Sequence, residues 1–297
     1  AVVNAAGPWV GDVARLGTSS GARSADVRLV RGSHIVVPRI AGGNDAYTLQ
    51  NSDGRVVFVL PFESDFTLIG TTEQPQGRDP RSVSVSSDEE SYLLTAVNRY
   101  LRVPIKPEQI VWTFAGVRPL DDDGSDNVSA ITRDYRLDLQ SEGTLPILNV
   151  IGGKITTYRR LAEAALDLLA QHFPAARPGS TRNAPLPGGD FEGRAFDAWF
   201  DDFARRHAGF ERRTLMRLAR RYGARTERVI DGATSERDLG QDFGAGLCAR
   251  EIIYLKSEEW ADAAEDILWR RTKTGLHIAP EARASAADAI QGYVDKL

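Results

Sequence analysis

Apolar residues alternate with polar ones through much of the first half of the chain, and recur every three or four positions in its last third. The two regimes meet at a stretch, 174–190, rich in proline, glycine and small residues. Alternation marks strands and the wider spacing marks helices. A chain that changes period at such a stretch is neither one all-β nor one all-α domain. It predicts an α+β protein in which a linker over 174–190 leads to an all-helical domain over 191–297. With 297 residues, 42% of them hydrophobic, the chain has apolar surface enough for two domains.

The first part is itself of two kinds. Residues 23–140 read as a largely antiparallel sheet with one helix. Strands are expected over 28–38, 66–71, 110–120 and 130–139, and the apolar segments flanking Asp53-Gly54 form a hairpin, because this dipeptide accepts the positive φ of a tight turn. Ser87 followed by Glu90 has the spacing of a capping box, opening a helix with Leu93, Leu94, Val97 and Leu101 on one side. Residues 1–22 and 141–173 carry a remnant of α/β texture. The former give a strand end, a Gly7-Pro8-Trp9 turn and a short helix. The latter include "PILNVIGGKITTYRRLAEAALDLL", a buried strand over 148–151, two glycines and Lys154, then a helix with Leu161, Ala165, Leu168 and Leu169 in register. The spacing is not that of a Walker loop: Leu148 stands where the first glycine belongs and Ile155 where Ser or Thr must follow the lysine. A glycine turn at a helix start serves either close strand–helix packing or the approach of an anion to free backbone N–H groups, and the spacing admits both. In the last third, "SEEWADAAEDILWRRTKTG" reads as one helix capped by Ser257, with Trp260, Ala264, Ile267 and Leu268 as its stripe and Gly275 at its end.

Composition removes several classes of function. A net charge of -4 gives no electrostatic case for a nucleic-acid partner. The arginine-rich stretch 212–228 is balanced by acids through the same region and reads as a solvated helix face. The single cysteine, Cys248, excludes a disulfide framework and a cysteine-rich metal site, and suits a reducing, cytoplasmic compartment. No apolar run approaches the ~20 residues of a membrane span, and no signal peptide is visible. The opening "AVVNAAGPWVGDVARL" has no Met and begins inside an apolar run, so the chain is expected to be the later part of a longer protein. "GAGLCA" at 244–249 matches G-x-G-x-x-A but follows no strand, so a dinucleotide fingerprint, if the protein has one, lies outside this chain.

Candidate chemistry rests on cations placed among apolar residues. Alternation sets Arg118 on one face with Trp112 and Phe114, and Arg133 with Ile131, Tyr135 and Leu137. Such arginines need partners. Together with Lys154 they either converge on a phosphate or carboxylate, or pair with Asp121, Asp134 and Asp138. His34, in "GSHIVVP", is either a general base or a hydrogen-bonded core histidine. No histidine pair has metal-ligand spacing, so no metal is expected, and no G-x-S-x-G elbow occurs.

Taken together, "VVNAAGPWV", "RGSHIVVPR", "FVLPFESDFTLIGTTE", "IVWTFAGVRPL", "AITRDYRLD" and "GGKITTYRRLAE" resemble, in order, the FAD-dependent glycerol-3-phosphate dehydrogenases of bacterial respiration, and "LGQDFG" and "LWRRTKTGL" extend the likeness. The resemblance implies part of an FAD-binding domain over 1–22 and 141–173, with its GxGxxG and first βαβ unit upstream of Ala1, and a substrate cap over 23–140. It implies that Ala6, Gly7, Trp9, Gly152, Gly153, Lys154 and Thr156 line FAD, and that His34, Arg118, Arg133 and Lys154 bind sn-glycerol 3-phosphate. His34, Arg118 and Arg133 would carry catalysis, with dihydroxyacetone phosphate as product. A quinone acceptor and a peripheral contact with the inner face of the cell membrane are also implied, with an oxidase using oxygen as the near alternative and a non-catalytic anion-binding domain as the distant one. The oligomeric state stays open, a homodimer among the options.

Overall fold

A computed structural model describes residues 1–17, 26–40, 44–77, 79–122, 134–140, 145–173 and 179–297. They fall into two compact units, Ala1–Arg182 and Asn183–Leu297.

The first unit opens on β1 (Val2–Asn4), turns in 3-10 form at Gly7–Trp9 and continues as α1 (Val10–Gly17). An antiparallel sheet follows: β2 (Val27–Pro38), β3 (Tyr47–Gln50), β4 (Val56–Phe62), β5 (Phe66–Gly70), β6 (Gln74–Pro75) and, after α2 (Ser87–Asn98), β7 (Trp112–Asp121). Its order is β3-β4-β5-β2-β6, with β7 along the other edge of β2. The long central strand β2 therefore sets the register of its neighbours. The Asp53-Gly54 hairpin forms as expected, with Gly54 at φ 80°. One face of the sheet is apolar: Ile35, Val37, Val57, Val59 and Ile69 pack on Leu93, Leu94, Ala96 and Val97 of α2. The opposite face carries Gly32, His34, Trp112, Phe114 and Arg118, the alternate residues of β2 and β7.

The cap of α2 differs from the expected one by a single residue. Ser86 is the N-cap, with extended backbone, and Glu89 closes the capping box. "SSDEE" admits both registers, and burial chooses between them: only with Glu89 facing the sheet do Leu93 and Val97 reach the core.

The second sheet has the order β1-β9-β8, from β1, β8 (Tyr135–Gln140) and β9 (Ile147–Gly152). β1 runs parallel to β9 and β8 antiparallel to it. The strand expected over 130–139 in the large antiparallel sheet is described from Tyr135 to Gln140, and its hydrogen bonds go to β9. Ile151 packs against Val10 and Ala14 of α1, and Leu148 against Ala165 and Leu169 of α3 (Tyr158–Leu169). Because 148 and 151 face opposite ways, the two helices cover opposite faces, the layering of an α/β unit. Buried Asn4 donates to Asn149 Oδ1 (2.8 Å) and to the Val10 carbonyl (2.9 Å), tying β1, β9 and α1 together.

The second unit is helical: α4 (Phe196–Arg206), α5 (Arg212–Tyr222), α6 (Thr226–Val229), α7 (Ala249–Glu259) and α8 (Arg283–Val294) surround Phe200, Phe203, Leu215, Leu218, Ile252, Leu255 and Ile290. The expected helix from Ser257 onward is instead two elements. Fed by the glycine turn at Gly244 and Gly246, α7 starts at Ala249, ends at Glu259, and gives way to Trp260 in left-handed conformation, 81% exposed. Ile267 and Leu268 are buried in a separate π-turn, Asp266–Arg271. The spacing of apolar residues ran across this break. Along α5, Arg212, Arg213 and Arg220 pair with Asp201, Glu211 and Asp197, while Arg217 and Arg221 share the buried carboxylate of Glu251. Among the described residues no helix is long and apolar enough to cross a membrane.

Candidate functional site

Antiparallel register places His34 opposite Gly70 on one side and Phe114 on the other. The imidazole stacks on the Phe114 ring, centroids 4.9 Å apart and planes 7° from parallel. It also covers Gly70, where a Cβ would overlap the ring. Arg118 reaches from β7 across β2, so that a Cβ at Gly32 would overlap its guanidinium. Its Nη2 donates to Thr71 Oγ1 at 3.0 Å. Two glycines thus clear the space in which the His34 and Arg118 side chains lie side by side.

The electrostatics follow from this crowding. Burial, and then the neighbouring Arg118 charge, lower the His34 pKa from 6.5 to about 4. The imidazole is therefore neutral near pH 7 and keeps a lone pair. Its buried Nδ1 has no hydrogen-bond partner among the described residues. Asp121, offered by sequence as a partner for these arginines, is held by Arg136 through two hydrogen bonds of 2.7 and 2.9 Å. Arg133 lies outside the described residues.

The turns of the second sheet meet the end of β7. Gly152 abuts it: a Cβ there would lie 3.7 Å from both the Asp121 nitrogen and the Pro119 oxygen. The Gly7–Trp9 turn touches both β7 and β9. Ala6, Gly7, Trp9, Gly152 and Gly153 are thereby gathered beside the strand that carries Arg118. Lys154 and Thr156 follow on the same turn with exposed side chains. The φ values of Gly7 (57°), Gly152 (70°) and Gly153 (103°), with open space in front of Gly7, leave backbone bare where the chain runs into α1 and into α3. Bare backbone and a helix start suit the close approach of a flat, polar cofactor edge. Among the described residues no cluster of His, Cys, Asp or Glu could hold a metal. Sequence reasoning missed Gly32, Gly70 and Thr71, whose parts depend on cross-strand register and leave no periodic signal.

Residues 1–159 match the family described as FAD dependent oxidoreductase, and residues 179–297 match the C-terminal domain of alpha-glycerophosphate oxidase. The chain belongs to the FAD dependent oxidoreductase family. It is 46% identical to the glycerol-3-phosphate dehydrogenase of Pseudomonas aeruginosa, over 98% of this chain and 57% of that protein. It is 44% identical to the D-erythritol 1-phosphate dehydrogenase of Brucella abortus, over 96% of this chain and 56% of that protein. With the aerobic glycerol-3-phosphate dehydrogenase of Escherichia coli it shares 41% identity, over 99% of this chain and 59% of that protein. The solved structure of the Bacillus halodurans glycerol-3-phosphate dehydrogenase complexed with FAD covers 99% of this chain and 62% of its own, with a TM-score of 0.76 at 25% identity. The chain thus spans a little over half the length of the relatives it matches.

Proposed function

We propose that the protein carrying this chain oxidises a short polyol phosphate, sn-glycerol 3-phosphate, to its ketone, dihydroxyacetone phosphate, with FAD as cofactor and a quinone as final acceptor. The observation that carries this reading is the pairing of a neutral His34 with Arg118 on one sheet face, beside the bare turns at Gly7 and Gly152–Gly153. Relatives bearing the names glycerol-3-phosphate dehydrogenase support it.

In this reading β1, α1, β8, β9 and α3 form part of the FAD-binding domain, and the antiparallel sheet β2–β7 with α2 forms the substrate cap. Ala6, Gly7, Trp9, Gly152, Gly153, Lys154 and Thr156 hold the cofactor. When bound, FAD supplies the acceptor for the hydride leaving C2. His34 takes the proton of the C2 hydroxyl. Arg118 and Arg133 steady the developing alkoxide and, with Lys154, the phosphate. A phosphate dianion beside Arg118 offsets the charge that depresses His34 and so raises its basicity when substrate is present. Trp112 and Phe114 give this face an apolar wall that limits water. Delivery of electrons to a quinone calls for a peripheral site on the inner face of the membrane.

D-erythritol 1-phosphate is a second substrate reading, favoured by the Brucella abortus relative. Both readings are tested on the complete gene product loaded with FAD. Anaerobic bleaching of the flavin by sn-glycerol 3-phosphate supports the first, and bleaching by D-erythritol 1-phosphate alone the second. A flavin that neither reduces rejects both. Turnover with a soluble quinone but without oxygen uptake supports the quinone acceptor, and stoichiometric oxygen uptake replaces it with oxygen.

A further inference from the structure

Behind the sheet face that carries His34 and Arg118 lies a buried carboxylate. Glu89, in the first turn of α2, is 2% exposed. Its Oε2 accepts from the Ser86 nitrogen and hydroxyl, both at 3.1 Å, and pairs with Arg31 Nη2 at 2.9 Å. A helix cap needs no more than this. The second oxygen does something else: Oε1 accepts from Ser33 Oγ at 2.8 Å and Thr72 Oγ1 at 2.7 Å. Thr72 Oγ1 in turn accepts from the Ser33 nitrogen at 3.0 Å, and the Thr72 nitrogen donates to the Ser33 carbonyl at 3.3 Å. Burial pushes the Glu89 pKa up, but hydrogen bonds from Thr72, the Ser86 backbone and Ser33 outweigh it and hold the carboxyl below its ordinary value.

The two residues so clamped are the neighbours of the site. Ser33 precedes His34 on β2. Thr72 follows Thr71, whose hydroxyl receives Arg118 Nη2 at 3.0 Å and donates to the Thr72 carbonyl at 3.1 Å. Gly70, under the His34 ring, comes just before. A path of hydrogen bonds therefore runs from Arg118 through Thr71 and Thr72 to Glu89, and Ser33, the covalent neighbour of His34, donates to the same oxygen. Successive residues of a strand point to opposite faces, so a carboxylate behind the sheet fixes the position of a side chain in front of it without touching the substrate.

We propose that Glu89 is a positioning residue for the oxidation reaction, holding His34 and Arg118 in mutual register from the reverse face of the sheet; this rests on the function proposed above. The two branches differ in what they reach. The Ser33 branch serves the proton acceptor and so kcat alone; the Thr71 branch serves Arg118, which meets both the phosphate and the developing alkoxide, and so KM as well as kcat. Glu89 joins the two.

The test uses the FAD-loaded complete gene product, with rates normalised to bound flavin. Ser33→Ala is expected to lower kcat at unchanged KM, Thr71→Val to raise KM and lower kcat, and Glu89→Gln to change both, its kcat/KM falling about tenfold or more. Because Ser33 acts through Glu89, Ser33→Ala should add little to Glu89→Gln in the double variant. A Glu89→Gln enzyme that melts earlier yet keeps the wild-type kcat and KM would reduce Glu89 to a helix cap and overturn the proposal. If Glu89→Gln does not fold, Ser33→Ala decides: loss of kcat per flavin supports it and an unchanged kcat overturns it. A wild-type enzyme inert towards both polyol phosphates rejects the function and leaves positioning to be judged by NMR. In that case the His34 imidazole nitrogen resonances shift in Glu89→Gln if the clamp is real, and stay in place if it is not.

Discussion

His34 and Arg118 share a face because each lies across a glycine. A methyl group at Gly70 would occupy the volume of the imidazole, and one at Gly32 that of the guanidinium. Gly70→Ala is expected to displace the ring and lower kcat/KM by about 10–100-fold, with flavin content retained, as steady-state assays per bound flavin will read. The depressed pKa of His34 has a consequence for stability. An unfolded imidazole binds its proton near 6.5 and the folded one only near 4. Between these values the unfolded chain holds more protons, so stability falls as pH drops from 6.5 to 4 and levels off below. Urea denaturation of wild type and His34→Gln across this window should show that slope reduced in the variant. At this scale the candidate pair His34 and Arg118 was legible in the sequence as a position, because a cation and an imidazole within apolar strands are conspicuous. Their supports were not, since Gly32, Gly70 and Thr71 are defined only by what lies across the strand.

At the scale of elements, alternation and three-to-four spacing located β2, β7, β9, α2 and α3 well. They failed where two elements shared one apparent pattern. Trp260 sits at the end of α7 in left-handed conformation, and the apolar period carried straight through it into the π-turn. The partner of β8 was equally hidden, because a strand's own sequence does not say which sheet it joins. The one-residue shift of the α2 cap, from Ser87 and Glu90 to Ser86 and Glu89, decides which carboxylate faces the sheet. The same helix covers the apolar face of the sheet through Leu93, which is fully buried. Leu93→Ala should therefore destabilise the first unit by about 2–5 kcal/mol in denaturant titration, leaving the second unit's transition in place.

For the molecule as a whole, the period of the apolar residues changes near 174–190, and the two compact units divide at Arg182–Asn183. The second unit has its own core and a fully satisfied buried carboxylate, Glu251, between Arg217, Arg221 and Tyr222. Residues 183–297 expressed alone are expected to fold cooperatively, with helical circular dichroism and a single melting transition; a non-cooperative melt would show that this core depends on the rest of the chain. The proposed chemistry depends above all on Arg118, whose part is read by anaerobic stopped-flow reduction of the flavin in the complete gene product. Wild type and Arg118→Ala should bind FAD equally, with sn-glycerol 3-phosphate reducing the variant about 10²–10³-fold more slowly. A variant reduced at the wild-type rate by the same substrate concentration would mean that Arg118 has no part in the reaction.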